Sequence, residues 1–336
     1  MKYLTKSVQL TITVLISILG LYLFFSGDYK LQDFFNIIKT LDLEYVFFAA
    51  TLLVMSVFVR AYRWKLLFAE KDSVDNYFLF KSEFIGYFAN NILPLRLGEI
   101  IRAVIVSDRY RLSKTYVFGT IVIERILDVL ATLIFGFIIL ILLLLFPPNT
   151  FFGFNSNDSS IVLRLIIILV CMLAPIIISA LVFLFIDKKS EHWIIRFIVK
   201  MFSSLKNIDR SKVIPVIFSS MLIWSIYWFD VYLIGKAFTT INDSKLFYLF
   251  DSMLILVGST IGIAIPSLPG SWGAFHLSID FVISSNYDIN EILRKNFTML
   301  LHLYGFITYS LCGFLYLLTV DFAKIITNLK GTNSNE

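Results

Sequence analysis

Residues 116–146 read YVFGTIVIERILDVLATLIFGFIILILLLLF, a run of 31 residues with three charged side chains near its start and none after them. A helix needs about 20 mostly apolar residues to cross the hydrocarbon core of a bilayer. This run is therefore long enough to cross a membrane once, and a soluble protein would have difficulty burying it.

The same excess of apolar residues holds for the whole chain of 336 residues. Hydrophobic residues make up 58% and charged residues 16%, against roughly 45–50% and about 25% in soluble domains. The mean hydropathy is +0.82. This composition excludes a soluble enzyme. It predicts an all-α, polytopic integral membrane protein with one domain over residues 1–330 and a short polar tail at 331–336.

Six further apolar runs have the length of a membrane-crossing helix. They cover residues 8–25, 45–68, 161–186, 213–238, 246–265 and 297–320. Together with residues 116–146 and two interrupted segments, these runs predict seven or eight transmembrane helices.

Basic residues are concentrated in particular loops. The loop at 187–212 carries seven Lys and Arg, and the loop at 147–160 carries none. Cytoplasmic loops are enriched in Lys and Arg, so the first loop is expected inside the cell and the second outside. Counting crossings predicts a multi-pass protein of the cell (plasma or inner) membrane with both termini in the cytoplasm. The same count places Arg60 and Arg63 on the cytoplasmic side.

The net charge of +5 follows from this loop bias, so no nucleic acid partner is expected. Instead, the basic loop at 187–212 is expected to contact anionic lipids of the inner leaflet.

Two apolar segments are interrupted by proline and polar residues. The sequence NNILP at 90–94 interrupts residues 76–106, and a stretch from Pro266 to Gly273 interrupts residues 263–285. Proline removes a hydrogen-bond donor and clashes with the preceding helical turn. Neither segment is therefore expected to be one straight helix, and the first should form a re-entrant hairpin.

The two interruptions are also similar to each other, since Pro94 and Gly98, like Pro266 and Gly270, follow the pattern Pro, three residues, Gly. In secondary transporters, such segments in corresponding positions of two halves indicate a substrate site near the midplane. The alternative is that both are packing kinks in unrelated helices. The candidate hinge residues are Pro94, Gly98, Pro266, Pro269, Gly270 and Gly273.

Charged side chains lie close to the first interruption and in the run that follows it. They are Arg96, Glu99 and Arg102, at spacings of three, and Glu124, Arg125 and Asp128. Charges inside a membrane cost about 2.5–3.5 kcal/mol each on insertion scales and are usually functional. Arg96 and Arg102 at the mouth of the hairpin, beside a helix N-terminus, would suit a phosphate group. Alternatively, the pairs Glu99–Arg102 and Arg125–Asp128 would only hold helices together.

The sequence predicts neither a metal site nor a cofactor. Cys171 and Cys312 both lie in apolar runs, where buried thiols behave as small hydrophobic groups. No nucleotide-binding motif is present, so substrate movement is expected to be downhill or driven by the membrane potential or by protons. Asp230, isolated in an apolar run, is one candidate proton carrier.

Residues 91–102, NILPLRLGEIIR, and residues 124–128, ERILD, closely resemble the signature of the lysylphosphatidylglycerol synthase transmembrane family, a flippase-like membrane domain. Arg63-Trp64 is similar to an earlier Arg-Trp pair of that family, and residues 266–273 are similar to its Pro-Gly-rich turn. The resemblance implies a helical domain, not an enzyme, that moves a lipid with a polar or glycosyl headgroup between leaflets. The candidate substrate-binding and translocation residues are Asn91, Arg96, Glu99, Arg102, Glu124, Arg125, Asp128, Asp230, His276 and His302.

Two histidines depart from the family pattern. His276 stands where the family usually has Glu, and His302 stands where its last helix usually has Arg. If the family pair bridges a cavity, two histidines could replace it as a hydrogen-bonded or proton-sensitive pair. They could also be two histidines of the protein interior. The soluble aminoacyl-transfer domain of the bifunctional synthases does not follow the last span, so we expect headgroup synthesis to occur elsewhere.

Two other functions compete with lipid translocation. Asp42 and Glu44 could hold a metal or act as a base in a polyprenyl-phosphate-dependent glycosyltransferase. Alternatively, the chain could be a non-transporting membrane scaffold. The substrate of the preferred function is a membrane lipid with a phosphate-containing headgroup: a phospholipid, an aminoacylated lipid or a polyprenyl-linked glycolipid. A homo-oligomer is compatible with all three functions.

Overall fold

The computed structural model describes residues 2–27, 29–69, 73–146, 210–238, 248–265 and 267–319, with isolated positions between 150 and 173. Within these residues every regular element is a helix, which confirms the predicted all-α class. The α-helices are α1 (Lys2–Phe25), α2 (Leu31–Ile38), α3 (Leu43–Leu66), α4 (Asn76–Ile92), α5 (Gly98–Tyr110), α6 (Lys114–Leu145), α7 (Arg210–Lys236), α8 (Leu249–Ala264), α9 (Ala274–Asn286) and α10 (Glu291–Leu317).

Several predicted features lie outside the described residues. They are the span at 161–186, nearly all of the basic loop at 187–212, Cys171, Pro266 and the tail at 331–336.

Four helices in the described part of the chain are long and apolar enough to cross a membrane: α3, α6, α7 and α10. They leave large apolar side chains exposed on the protein, among them Phe47, Leu144 and Ile214. Extensive exposed apolar surface indicates contact with a membrane. The chain is therefore a membrane-embedded helical protein, and the predicted number of seven or eight crossings stays a prediction.

The first interrupted segment forms a helical hairpin. Asp75 caps α4 by accepting a hydrogen bond from the Phe78 amide at 2.8 Å. Leu93 is extended, with φ −95° and ψ 141°, as expected for a residue before proline. Pro94 then opens a short 3-10 turn, Pro94–Arg96, which leads into α5. The arms have 17 and 13 residues, fewer than the about 20 that a bilayer-crossing helix usually needs.

The second interrupted segment forms a hairpin of the same design from α8 and α9, with arms of 16 and 13 residues. Its 3-10 turn, Pro269–Ser271, is followed by Gly273, whose φ of 88° favours glycine. The turn packs on α1, where the Ser17 hydroxyl accepts a hydrogen bond from the Leu268 amide at 2.5 Å. A Cβ on Gly273 would lie 2.6 Å from the Ser17 carbonyl oxygen, so this contact also requires glycine.

The two hairpins correspond in a register that differs from the predicted one. Pro94 matches Pro269, since each opens a 3-10 turn, and the third turn residue has a positive φ in both, 55° at Arg96 and 62° at Ser271. Gly98 and Gly273 occupy the next matching position. The turns thus match three residues later in the second hairpin than the predicted pair of Pro94 with Pro266, and Pro266 itself lies outside the described residues.

The contacts within the chain define two compact units, each built from separate segments. Unit 1 contains residues 1–55, 130–177 and 224–307, and unit 2 contains residues 56–129, 178–223 and 308–336. Unit 2 includes the end of α3, the hairpin α4–α5 and the start of α6. Unit 1 includes the end of α7, the hairpin α8–α9 and the start of α10. Each unit thus contains one hairpin between two long helices, which is an internal repeat.

α4 and α5 pack closely at Gly98, so a larger residue at this position is expected to destabilise the protein. The Gly98 amide donates to Asn90 Oδ1 at 2.8 Å, and a Cβ on Gly98 would overlap the Gly86 carbonyl oxygen and lie 2.6 Å from Asn90 Oδ1. We expect Gly98→Ala to lower the free energy of unfolding by about 1–3 kcal/mol, measured by unfolding of the purified protein in detergent.

Gly305 in α10 provides the matched control for this substitution. A Cβ there would meet only Leu53 Cδ2, at an ordinary distance of 3.8 Å. Gly305→Ala should therefore stabilise the helix, by about 0.5–1 kcal/mol. Equal effects of the two substitutions would contradict this account of the hairpin.

Candidate functional site

Unit 2 holds a cluster of charged side chains where the first hairpin meets α3 and α6. We call it the charged cluster; its members are Arg60, Arg63, Glu83, Glu99, Arg102, Glu124, Arg125 and Asp128. Each member lies within 4 Å of an opposite charge in the cluster. The structure thus brings together five of the predicted site residues and adds three that were not predicted as site residues.

Arg102 occupies the interior of the charged cluster. Its guanidinium donates to Glu83 at 2.6 Å and to Glu124 at 2.7 Å, and all three side chains are buried. The guanidinium also lies 4.1 Å from the centre of the Trp64 ring. Trp64 is held in turn by a hydrogen bond from its indole NH to the Thr120 hydroxyl at 2.8 Å. These contacts of Arg102 and Trp64 join α3, α4, α5 and α6 at one point.

Arg63 and Arg60 on α3 form a second part of the interior. Arg63 donates to Asp128 at 2.7 Å and to the Ser220 hydroxyl at 3.1 Å, and Arg60 donates to Asp128 at 3.2 Å. Both arginines are buried. Carboxylates from other helices replace the water around both guanidinium groups, and the placement of these arginines on the cytoplasmic side stays a prediction.

Arg125 lies at the outer edge of the charged cluster, between Glu99 at 3.8 Å and Asp128 at 3.4 Å. Its side chain is 37% exposed and that of Glu99 is 26% exposed. The predicted Arg125–Asp128 pair is confirmed. The predicted Glu99–Arg102 pair is wrong, since Glu99 pairs with Arg125 and Arg102 is directed toward α4 and α6.

Arg96, on the turn of the first hairpin, differs from the four arginines of the charged cluster. The charged cluster itself contains four arginines and four carboxylates and is balanced. Arg96 lies on the 3-10 turn, is exposed and has no carboxylate within ion-pair distance in the part of the chain that the structure describes. The sequence predicts both Arg96 and Arg102 at the mouth of the hairpin, and the structure places only Arg96 there.

Neighbouring residues support this geometry. The Asn91 amide donates to the Ser310 hydroxyl at 2.9 Å, which connects the end of α4 to α10. A Cβ on Gly86 would overlap the aliphatic part of Arg102, so the glycine makes room for this side chain. Glu83 is the interior carboxylate that sequence reasoning missed. Its signal was that it is the single carboxylate of α4.

The two histidines meet in unit 1, beside the second turn. Their ring centres are 4.6 Å apart, and the Trp272 ring packs against both. His302 Nε2 lies 2.7 Å from the Gly270 carbonyl oxygen, so His302 holds the turn. Both ring nitrogens of His276 are buried and have no hydrogen-bond partner among the described residues.

Asp230 also belongs to unit 1, where it accepts a hydrogen bond from the Tyr304 hydroxyl.

No group of three or more His, Cys, Asp or Glu is arranged to hold a metal ion within the described ranges. Asp42, a candidate metal ligand or base, accepts a hydrogen bond from the Glu44 amide at 3.1 Å immediately before α3. This is the geometry of a helix cap, and it accounts for Asp42 without catalysis.

A family model described as the lysylphosphatidylglycerol synthase TM region matches residues 10–313. The chain belongs to this family. The match includes both hairpins, the charged cluster and the two histidines, in agreement with the resemblance found in residues 91–102 and 124–128. No curated protein and no solved structure matches the chain. Membership of the family is compatible with a membrane domain that is not an enzyme.

Contact between the histidines predicts non-additive effects of mutation. His276→Glu or His302→Arg alone would bury one unpaired charge, which costs about 3–5 kcal/mol, whereas the double substitution supplies its own partner. We expect each single variant to melt at a lower temperature than the double variant, which restores the family residues. Additive losses in melting temperature would contradict an interaction between the two side chains.

Proposed function

We propose that the chain moves a lipid with a phosphate-containing headgroup between the leaflets of the cell membrane. The observation that carries the proposal is the balanced charged cluster next to Arg96, an exposed arginine that lies near Glu99 but forms no ion pair with a described carboxylate. Candidate lipids are a phospholipid, an aminoacylated lipid and a polyprenyl-linked glycolipid, which share the phosphate. The protein would act as a transporter and not as an enzyme.

The free-energy cost of burying the charged cluster supports a functional role for it. Well-packed apolar residues are often as stable as a buried ion network, or more stable, so stability alone does not require eight charges in a membrane-embedded protein. Paired charges can replace the water around a polar headgroup, while the lipid tails remain in the bilayer. In this mechanism the charged cluster lowers the barrier for moving the headgroup.

Arg96 is the side chain proposed to contact the phosphate. A guanidinium can donate two parallel hydrogen bonds to phosphate oxygens, which an ammonium group cannot do. Neighbouring Glu99 and Arg125 are partly exposed and would contact the rest of the headgroup. Arg102, Glu124 and Asp128 would act from the interior by holding this edge in place.

The internal repeat also supports a transporter. Interrupted helices in corresponding positions of two halves are the feature that indicates a substrate site in secondary transporters, and here each unit contains one such hairpin. A multi-pass topology with both termini in the cytoplasm, and contact of loop 187–212 with anionic inner-leaflet lipids, complete the proposal.

The test is lipid movement in liposomes containing the purified full chain. A tail-labelled fluorescent phosphatidylglycerol is incorporated, and an impermeant quencher reports how fast inner-leaflet probe reaches the outer leaflet. We expect faster exchange than in protein-free liposomes of the same composition. Equal rates in both preparations would contradict the proposed function.

A further inference from the structure

Asp230 is a buried carboxylate without a cationic partner among the described residues. It lies on the membrane-length helix α7 and is 2% exposed. Tyr304 on α10 donates to Oδ2, and Oδ1 has no hydrogen-bond partner among the described residues. No Lys, Arg or His of the described chain lies within ion-pair distance of it. Every carboxylate of the charged cluster, by contrast, faces at least one arginine.

The surroundings of Asp230 contain few groups that could share a charge with it. Tyr227 on α7 and Tyr304 on α10 are the titratable side chains nearby. On the same part of α7, Phe135 of α6 and Phe250 of α8 pack against the Trp228 ring, whose indole NH donates to the Leu249 carbonyl oxygen at 2.7 Å. An unpaired carboxylate is costly in such an interior, and a bound cation would remove the cost.

We propose that Asp230 is a proton-binding site inside the membrane domain. In the proposed state Oδ1 carries the proton, and Oδ2, which accepts the Tyr304 hydrogen bond, is the carbonyl oxygen. A sodium ion fits less well because it needs several oxygen ligands, which transporters often supply from unwound helices. Both α7 and α10 continue without interruption past this point, so their carbonyl groups are used within the helices.

A proton bound at Asp230 would be the coupling ion for transport. The site itself does not depend on what the protein carries, whereas its use in coupling rests on the proposed lipid movement. Asp230 would bind a proton in one state of the transporter and release it in another. A proton gradient would then drive the headgroup in one direction.

Infrared difference spectroscopy tests the proton site directly. We expect the spectrum of the wild-type protein minus that of Asp230→Asn, recorded at pH 7 in detergent, to contain the C=O stretching band of a protonated carboxylic acid. Tyr304→Phe should keep this band and shift it, because the carbonyl oxygen loses a hydrogen bond. Asp280 accepts a hydrogen bond from Arg294 at 2.5 Å, so Asp280→Asn should remove carboxylate bands only.

Two results would overturn the proton site. One is a wild-type minus Asp230→Asn spectrum with carboxylate bands and no acid band at pH 7. The other is conversion of the acid band to carboxylate bands on addition of NaCl at constant pH, which would assign the site to sodium.

Coupling is tested in the liposome assay with and without an imposed pH gradient. We expect the gradient to change the wild-type exchange rate several-fold and to have no effect on Asp230→Asn. An equal gradient response of both proteins would overturn the coupling. Wild-type protein that moves no lipid in either condition would overturn the coupling together with the proposed function, and the infrared band would still decide the proton site.

Discussion

Replacing Glu124 with glutamine is expected to lower the free energy of unfolding by about 3–5 kcal/mol, the cost of leaving a buried charge without its partner. Glu124 is fully buried and lies 2.7 Å from Arg102 and 3.7 Å from Arg63. Its loss leaves Arg102 with Glu83 alone and removes one negative charge from a balanced set. Denaturant unfolding and thermal melting of the purified variant in detergent measure the effect.

Glu99→Gln is the matched control, because it makes the same chemical change at the partly exposed edge of the charged cluster. The Glu99–Arg125 pair is long, at 3.8 Å, and exposed ion pairs contribute only about 0–1 kcal/mol. We therefore expect a small change in stability together with slower lipid movement. A Glu124→Gln variant as stable as Glu99→Gln would contradict the division of the charged cluster into an interior and an edge.

Arg96→Gly is expected to slow lipid exchange without lowering the free energy of unfolding. Loss of charge-assisted hydrogen bonds to a phosphate is worth about 1.5–3 kcal/mol, so exchange should slow by about 10–100-fold. Arg96 has a φ of 55°, a conformation that glycine adopts without strain. The free energy of unfolding should thus stay the same or rise by up to about 1 kcal/mol.

Arg111→Gly controls for both effects. Arg111 is also exposed and left-handed, with φ 54°, and follows the other end of α5. The substitution should have a similar effect on stability and leave the exchange rate at the wild-type value. If the two variants slowed exchange equally, the effect would be a general loss of positive charge, and the role of Arg96 as the phosphate contact would be wrong.

The membrane helices are the part of the fold that could be predicted from the sequence. The apolar run at 116–146 became α6 (Lys114–Leu145), and the run at 213–238 became α7 (Arg210–Lys236); the run at 246–265, predicted to cross, became α8, a hairpin arm of 16 residues. Whether a segment is apolar enough to lie in lipid depends on its own residues, so local composition is sufficient to predict a membrane helix. The hairpin at Pro94 was predictable for a similar reason, since proline interrupts a helix through local sterics.

The pairing within the charged cluster could be predicted only in part. Arg125 and Asp128 are one helical turn apart, and their contact follows from spacing on a single helix. Arg63 and Asp128 come from different helices, 65 residues apart in the chain, and no local pattern specifies that contact. Arg60 and Arg63 were not predicted as site residues for the same reason, because their partner Asp128 is distant in the sequence.

The register of the second turn was missed for a different reason. Both Pro266–Gly270 and Pro269–Gly273 satisfy the same sequence pattern, so spacing alone could not choose between them. The choice depends on the backbone, where Ser271 repeats the left-handed conformation of Arg96.

The most direct test of the central claim compares two lipids in the same liposomes with the wild-type protein. One is a tail-labelled fluorescent phosphatidylglycerol, and the other is a glycolipid with the same labelled tail and no phosphate. If Arg96 and the charged cluster act on a phosphate, the protein should accelerate exchange of the phospholipid and leave the glycolipid at its protein-free rate. Equal acceleration of both lipids, or of neither, would contradict the account.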